Sequence, residues 1–205
     1  MKADRDPAPP VRGVHSSDDT QAAEHLRFIR DTMARAHAFT AVPGWGMVAM
    51  GVTAVAATLI AARQPTPDGW LLVWILEAIL AVGIGIVAFR RKVRRGNMTL
   101  RSGPGRKYLL SLLPPMVAGA LITLAFWRSG DLTLLPGIWL LLYGAGTMTG
   151  GAFSVRSVPM MGLAFMIVGV PALFWPGAWG DIGMALGFGG AHIVFGAYIA
   201  RHHGG

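Results

Sequence analysis

Along the chain, polar and apolar positions separate into a polar leader followed by six long apolar blocks. Residues 1–17 are polar and proline-rich, with Asp6-Pro7-Ala8-Pro9-Pro10 at their centre, and bury too little apolar surface to fold; they read as a disordered tail. No apolar run or small-residue cleavage site follows the start, so a cleavable signal peptide is not expected. From Asp18 the pattern becomes helical. Asp18 and Gln21 make a helix start, and Leu26, Ile29, Met33 and Ala36 recur at helical spacing between Arg27, Arg30 and Arg35. This predicts an amphipathic interfacial helix over 18–39.

The apolar blocks fall at 40–62, 70–89, 108–127, 132–152, 158–175 and 181–200. A spanning helix needs about 20 mainly apolar residues, so each block is read as one crossing. The expected fold is an all-α polytopic membrane bundle of six transmembrane helices over residues 40–205. Connections at 63–69, 128–131 and 176–180 are short enough to force antiparallel hairpins. The connection near Ser154–Ser157 is equally short, and fusion there would leave five spans. Three hairpins open alike, at Val42-Pro43, Leu113-Pro114-Pro115 and Val158-Pro159. Each returns through a glycine-bearing helix to a basic end: Gly85 to Arg90, Gly150 to Arg156, Gly196 to Arg201. The pattern is that of three repeated helical hairpins in parallel orientation.

Composition agrees with this reading. Hydrophobic residues make up 53% of the 205 and charged residues only 14%, which excludes an ordinary soluble domain. The chain has no cysteine, which removes disulfides, thiol catalysis, iron–sulfur clusters and cysteine zinc sites. The net charge of +8 matters through its distribution. All but Arg63 and Arg128 of the 18 Lys and Arg residues fall on one side of the predicted topology. Cytoplasmic loops carry the Lys/Arg excess, so both termini are expected in the cytoplasm and the chain in the inner membrane. The abundance of Ala, Gly and Arg suits a GC-rich bacterial genome. Arg90, Arg91, Lys92, Arg94 and Arg95 lie just beyond the second span, where they would rest on anionic lipid headgroups. Without a folded domain or interleaved aromatics, nucleic acid is not an expected partner.

Polar residues inside the spans are the candidates for chemistry. Glu77 is the only acidic residue deep in a span, and an ionised carboxylate there costs several kcal/mol unless paired or hydrated. His192 is the only histidine within a span. Helical rise places His192 about 13 Å and Glu77 about 20 Å from their basic ends. The two are therefore at bridgeable depths if the second and sixth helices adjoin, where they would share a proton or hold a ligand. The alternatives are a Glu and a His that each hydrogen-bond a neighbouring helix. Tyr143, Thr147 and Thr149 add polar groups in the fourth span, with Thr123 and Tyr198 in the third and sixth. One His and one carboxylate fall short of a metal's usual three or four ligands, and no cofactor is implied. Gly146–Gly150 and Gly183–Gly187 are G-x-x-x-G steps that let helix backbones approach. Pro114, Pro115 and Pro171 are expected to kink their helices. Trp45, Trp70, Trp127, Trp175 and Trp179 stand near helix ends as interfacial anchors. No P-loop, G-x-S-x-G elbow, H-E-x-x-H or closely spaced acidic pair is present, so no enzyme class is supported.

Two stretches, Ile29–Arg35 running into Phe39–Gly46 and Gly189-Gly190-Ala191-His192-Ile193, resemble segments of uncharacterised bacterial six-helix integral membrane proteins. The resemblance implies class and topology and carries no catalytic residue. The expected role is a non-enzymatic sensor, scaffold or accessory subunit. Its partners would be the lipid bilayer and a cytoplasmic or membrane protein met by residues 1–39. The alternative is a small transporter or channel with Glu77 and His192 on the path.

Overall fold

The computed structural model describes residues 21, 24–29, 42–96 and 103–202, with side chains for all of these except 93, 95, 96 and 103–105. The 1–17 tail lies outside the described residues. Of the expected interfacial helix, only Gln21 and 24–29 are described, and they are helical and exposed. Residues 1–37 form a unit separate from 38–205, and the following concerns the latter.

The described residues are 87% helix with no strand among them. Six helices follow one another: α1 (Gly44–Ala61), α2 (Pro67–Gly96), α3 (Gly103–Ser129), α4 (Leu135–Gly151), α5 (Ser157–Phe174) and α6 (Ala178–His202). Five of them, all but α4, are long and apolar enough to cross a membrane. The fourth block forms a helix of 17 residues, because Leu132–Leu134 of the predicted span are taken up by the turn and the helix ends at Gly151.

α2 and α3, at 30 and 27 residues, run further than their apolar blocks. Arg and Lys are good helix formers, so α2 continues into the basic segment after its apolar stretch has ended, while α3 begins ahead of its own, at Gly103. Pro114 and Pro115 lie inside α3 and Pro171 inside α5, with both helices continuous through them. Within α6 the turn widens: Ala185–Ala191 is π-helical, ending at His192. Such bulges re-aim the side chains that follow.

Glycine sets which helices touch. α4 and α5 are antiparallel, and a Cβ added to Gly144 would stand 2.7 Å from the Gly162 carbonyl oxygen. α1 and α6 pair in the same way, Gly44 against Gly196 and Gly51 against Gly189. The G-x-x-x-G step at Gly146–Gly150 receives Leu112, Pro115 and Tyr108 of α3, and the step at Gly183–Gly187 receives Leu140, Phe165 and Ala172. Both therefore serve packing within the chain. Leu140, Phe165, Met184 and Val158 fill the core between these helices.

α2 packs on α1 and α3 on α4, and α2 and α3 stand apart from each other. They barely touch each other, and large apolar side chains such as Ile79, Val82, Leu113 and Leu121 point outward from them. At the end away from the basic loop they are joined by Trp127 Nε1, which donates to Asp68 Oδ1 at 3.1 Å. Trp45, Trp127, Trp175 and Trp179 are outward-facing, as anchors should be. Trp70 instead turns inward, stacks on Trp139 at 5.7 Å and donates to Asp181 Oδ1 at 2.9 Å.

Candidate functional site

The gap between α2 and α3 opens a cavity of about 770 Å³ to which all six helices contribute side chains. Its volume lies in the range of small-molecule sites, and its lining is predominantly apolar and aromatic. Along α2 it extends from Trp74 to Arg90, about 24 Å at helical rise.

Glu77 lines this cavity. Helix α2 presents it there because Trp74, Glu77 and Ala81 recur at helical spacing on one face. Thr53 of α1 donates its hydroxyl to Glu77 Oε1 at 2.7 Å, with the Met50 carbonyl oxygen also within reach at 2.9 Å. Among the described residues no basic side chain pairs with the carboxyl.

His192 and Tyr143 line the cavity from α6 and α4. His192 Nδ1 stands 3.0 Å from the Phe188 carbonyl oxygen, which only accepts, so Nδ1 carries a proton. In the neutral ring Nε2 then accepts from the Tyr143 hydroxyl, 2.8 Å away. The rings of Phe165 and Phe188 enclose this pair: Tyr143 and Phe165 are 4.8 Å apart, and Phe188 stacks on His192 at 6.3 Å. The His192–Phe188 bond spans the π-helical turn, so the widened segment sets the imidazole's direction.

The two candidates thus face one cavity without bonding each other, Glu77 held by Thr53 and His192 by Tyr143. The wall between α2 and α6 is bridged by Trp74 and Phe188, whose rings are 6.2 Å apart. Thr147 is fully buried one turn from Tyr143 but lies off the cavity, and its hydroxyl makes no hydrogen bond of ordinary geometry. Thr123 lines the far end, donating to the Gly119 carbonyl oxygen and accepting from Trp139 Nε1 at 2.8 Å. Thr149 bonds back to its own helix, and Tyr198 faces outward against His202.

Within the basic cluster Arg90, Arg91 and Arg94 are exposed, and Arg90 also lines the cavity. Lys92 is half-buried and donates to the Val42 carbonyl oxygen at 2.9 Å, tying α2 to the start of α1. The Arg95 side chain lies outside the described residues. No three His, Asp or Glu residues among those described stand close enough to hold a metal ion.

Sequence reasoning picked out Glu77, His192 and Tyr143 but missed Trp74, Trp139, Phe188 and Thr53. Glu77 and Trp74 are three apart on one helix, a spacing that signals a shared face. Nothing in the sequence signals that Thr53 and Phe188 approach it from other helices. No protein-family model, curated protein or solved structure matches the chain.

Proposed function

We propose that this chain is a six-span integral protein of a bacterial inner membrane, both termini cytoplasmic, that binds a hydrophobic small molecule and acts as a non-enzymatic sensor. The single observation that carries the reading is the cavity of about 770 Å³, walled by all six helices and furnished with a few polar groups in an apolar lining. α4 is taken as the sixth crossing because it runs antiparallel against both α3 and α5. The orientation rests on the Lys/Arg asymmetry, with exposed Arg90, Arg91 and Arg94 at the cytoplasmic headgroups. The connecting loops are too short for a catalytic module, so a bound state is passed on through a protein partner at residues 1–39.

The test is occupancy. The full chain in neutral-lipid nanodiscs is titrated with a neutral hydrophobic probe, triphenylphosphine oxide, and the tryptophan fluorescence of the cavity wall is followed. Ala81→Trp fills the cavity from α2 and is expected to abolish binding while the protein stays monodisperse. Equal binding by the wild type and Ala81→Trp refutes the reading. Deleting residues 1–39 is expected to remove partner capture and leave the helix bundle folded.

One observation favours a second reading, a small transporter: Glu77 and the Tyr143–His192 pair face the same cavity. It predicts that Glu77→Gln abolishes a pH-dependent flux in proteoliposomes, whereas a sensor shows no flux with either side chain.

A further inference from the structure

Resting on the cavity being a ligand site, we propose that its ligand is a lipophilic cation, an amine or onium group held against the carboxylate of Glu77 with its apolar body on the surrounding aromatic rings. Three observations converge on this class. Among the described residues Glu77 is the sole acidic side chain lining the cavity, and no basic side chain neutralises it. Thr53 occupies Oε1 alone, which orients the carboxyl and leaves Oε2 without a hydrogen bond. An intramembrane carboxylate without a cation is costly, and such residues mark ligand or ion sites.

The walls supply the second half of cation recognition. Trp74, Trp139, Tyr143 and Phe188 all line the same cavity, and Trp74 is buried beside Phe188 with no hydrogen-bond partner at Nε1. Aromatic faces attract a desolvated cation through the ring quadrupole, Trp most strongly. The other titratable or charged side chains lining the cavity are Arg90, Tyr108, Tyr143 and His192. Arg90 is the one cation among them. It sits thirteen residues from Glu77, about 20 Å along α2, at the basic end. Charge along the cavity is therefore graded, positive at the cytoplasmic end and negative near the opposite end. An anionic amphiphile would be held at Arg90 and meet repulsion at Glu77; a cation is held at Glu77. The apolar lining of the gap between α2 and α3 gives a membrane-partitioned cation a route in from the bilayer.

The experiment uses the full chain in neutral-lipid nanodiscs and three probes of similar bulk: tetraphenylphosphonium, tetraphenylborate and triphenylphosphine oxide. Equilibrium binding to protein-containing discs is measured above that to empty discs. The phosphonium is expected to bind roughly 10- to 100-fold more tightly than the neutral oxide, the worth of one desolvated charge contact. Glu77→Gln is expected to erase that preference, so that phosphonium and oxide then bind alike, and Glu77→Asp to restore part of it. Thr53→Val, which frees the carboxyl's orientation, is expected to weaken the phosphonium severalfold. Should Glu77→Gln fail to yield monodisperse protein, Glu77→Asp and Thr53→Val carry the test on their own. If oxide and phosphonium bind alike, or the borate binds best, the cation assignment is overturned and the ligand site stands. If no probe binds above empty discs, the ligand site itself falls.

Discussion

A single methyl group should loosen the pairing of α4 with α5. Gly162 in α5 faces α4 so closely that an added Cβ would lie 2.5 Å from the Met148 nitrogen and 2.7 Å from the Gly144 carbonyl oxygen. Both are backbone atoms that no rotamer change can move. Ordinary contact begins at 3.4 Å, so the two helices must part by 0.9 Å, the difference between 3.4 and 2.5. Overpacking of this kind costs roughly 1–3 kcal/mol. Gly83 in α2 has nothing within 4 Å of its Cβ position. Both sites are helical, so Ala gains the same propensity at each, up to about 1 kcal/mol. That common gain cancels in the comparison. Gly162→Ala should therefore be roughly 1–3 kcal/mol less stable than Gly83→Ala, with Gly83→Ala at or slightly above the wild type. The assay is reversible unfolding in mixed micelles of increasing SDS fraction, followed by tryptophan fluorescence. Equal midpoints for the two variants would refute the claim that α4 and α5 meet backbone to backbone.

Other perturbations read other parts of the structure. Tyr143→Phe leaves His192 Nε2 without its partner and should lower stability by about 1 kcal/mol in the same unfolding assay; an unchanged midpoint would mean the 2.8 Å bond adds nothing. In the turn between α3 and α4, the Thr133 hydroxyl and amide both donate to Asp131, holding its carboxyl below the usual carboxylate range. A lowered folded-state pKa contributes order that is present at neutral pH and lost as pH falls through that value. After correction for intrinsic exchange, the Thr133 amide should lose protection on acidification in the wild type and show none in Asp131→Ala. Trp127→Phe removes the bond to Asp68 that joins α2 and α3. Because the chain has no cysteine, spin labels placed at positions 87 and 113 should report a broader inter-helix distance in that variant.

How much of this was legible in the sequence depends on which interaction fixed each feature. Helical class followed from apolar block length, since backbone groups in hydrocarbon must bond within their own segment. Element ends were less legible. α2 overran its block because helix propensity carries on through Arg and Lys after hydropathy fails, and α4 came out shorter because Asp131, just before the apolar run, and Thr133, inside it, built a turn. Glu77 and His192 were legible from polarity alone. Their partners were not: Thr53 reaches Glu77 across 24 positions and Tyr143 reaches His192 across 49. Trp70 was read as an anchor by its place near a helix end. Its ring turned inward because Asp181, 111 positions away, offers the acceptor that its indole needs.

The cavity and the glycines have one cause. Where both facing helices carry glycine, as at Gly144 with Gly162 or Gly51 with Gly189, backbones meet and the space between them closes. α2 and α3 have glycines too, but Gly83 faces nothing within 4 Å, and the nearest atoms to Gly85 and Gly119 lie at 3.8 and 3.6 Å. Those positions serve no close approach, and Ala81, Val82 and Met116 nearby line the cavity. The consequence is a division of labour. α1 with α6, and α4 with α5, form interlocked pairs that resist displacement, since separating them forfeits backbone packing. α2 and α3 pack onto the outside of these pairs: α2 on α1 through Ala88 on Gly46, Thr53 with Glu77 and Lys92 with Val42, and α3 on α4 through Tyr108, Leu112 and Pro115 on Gly146 and Gly150. The opening in the bundle therefore lies between those two helices, which barely touch each other. The Glu77 carboxyl on its wall is held by a hydrogen bond from α1, one of the interlocked helices.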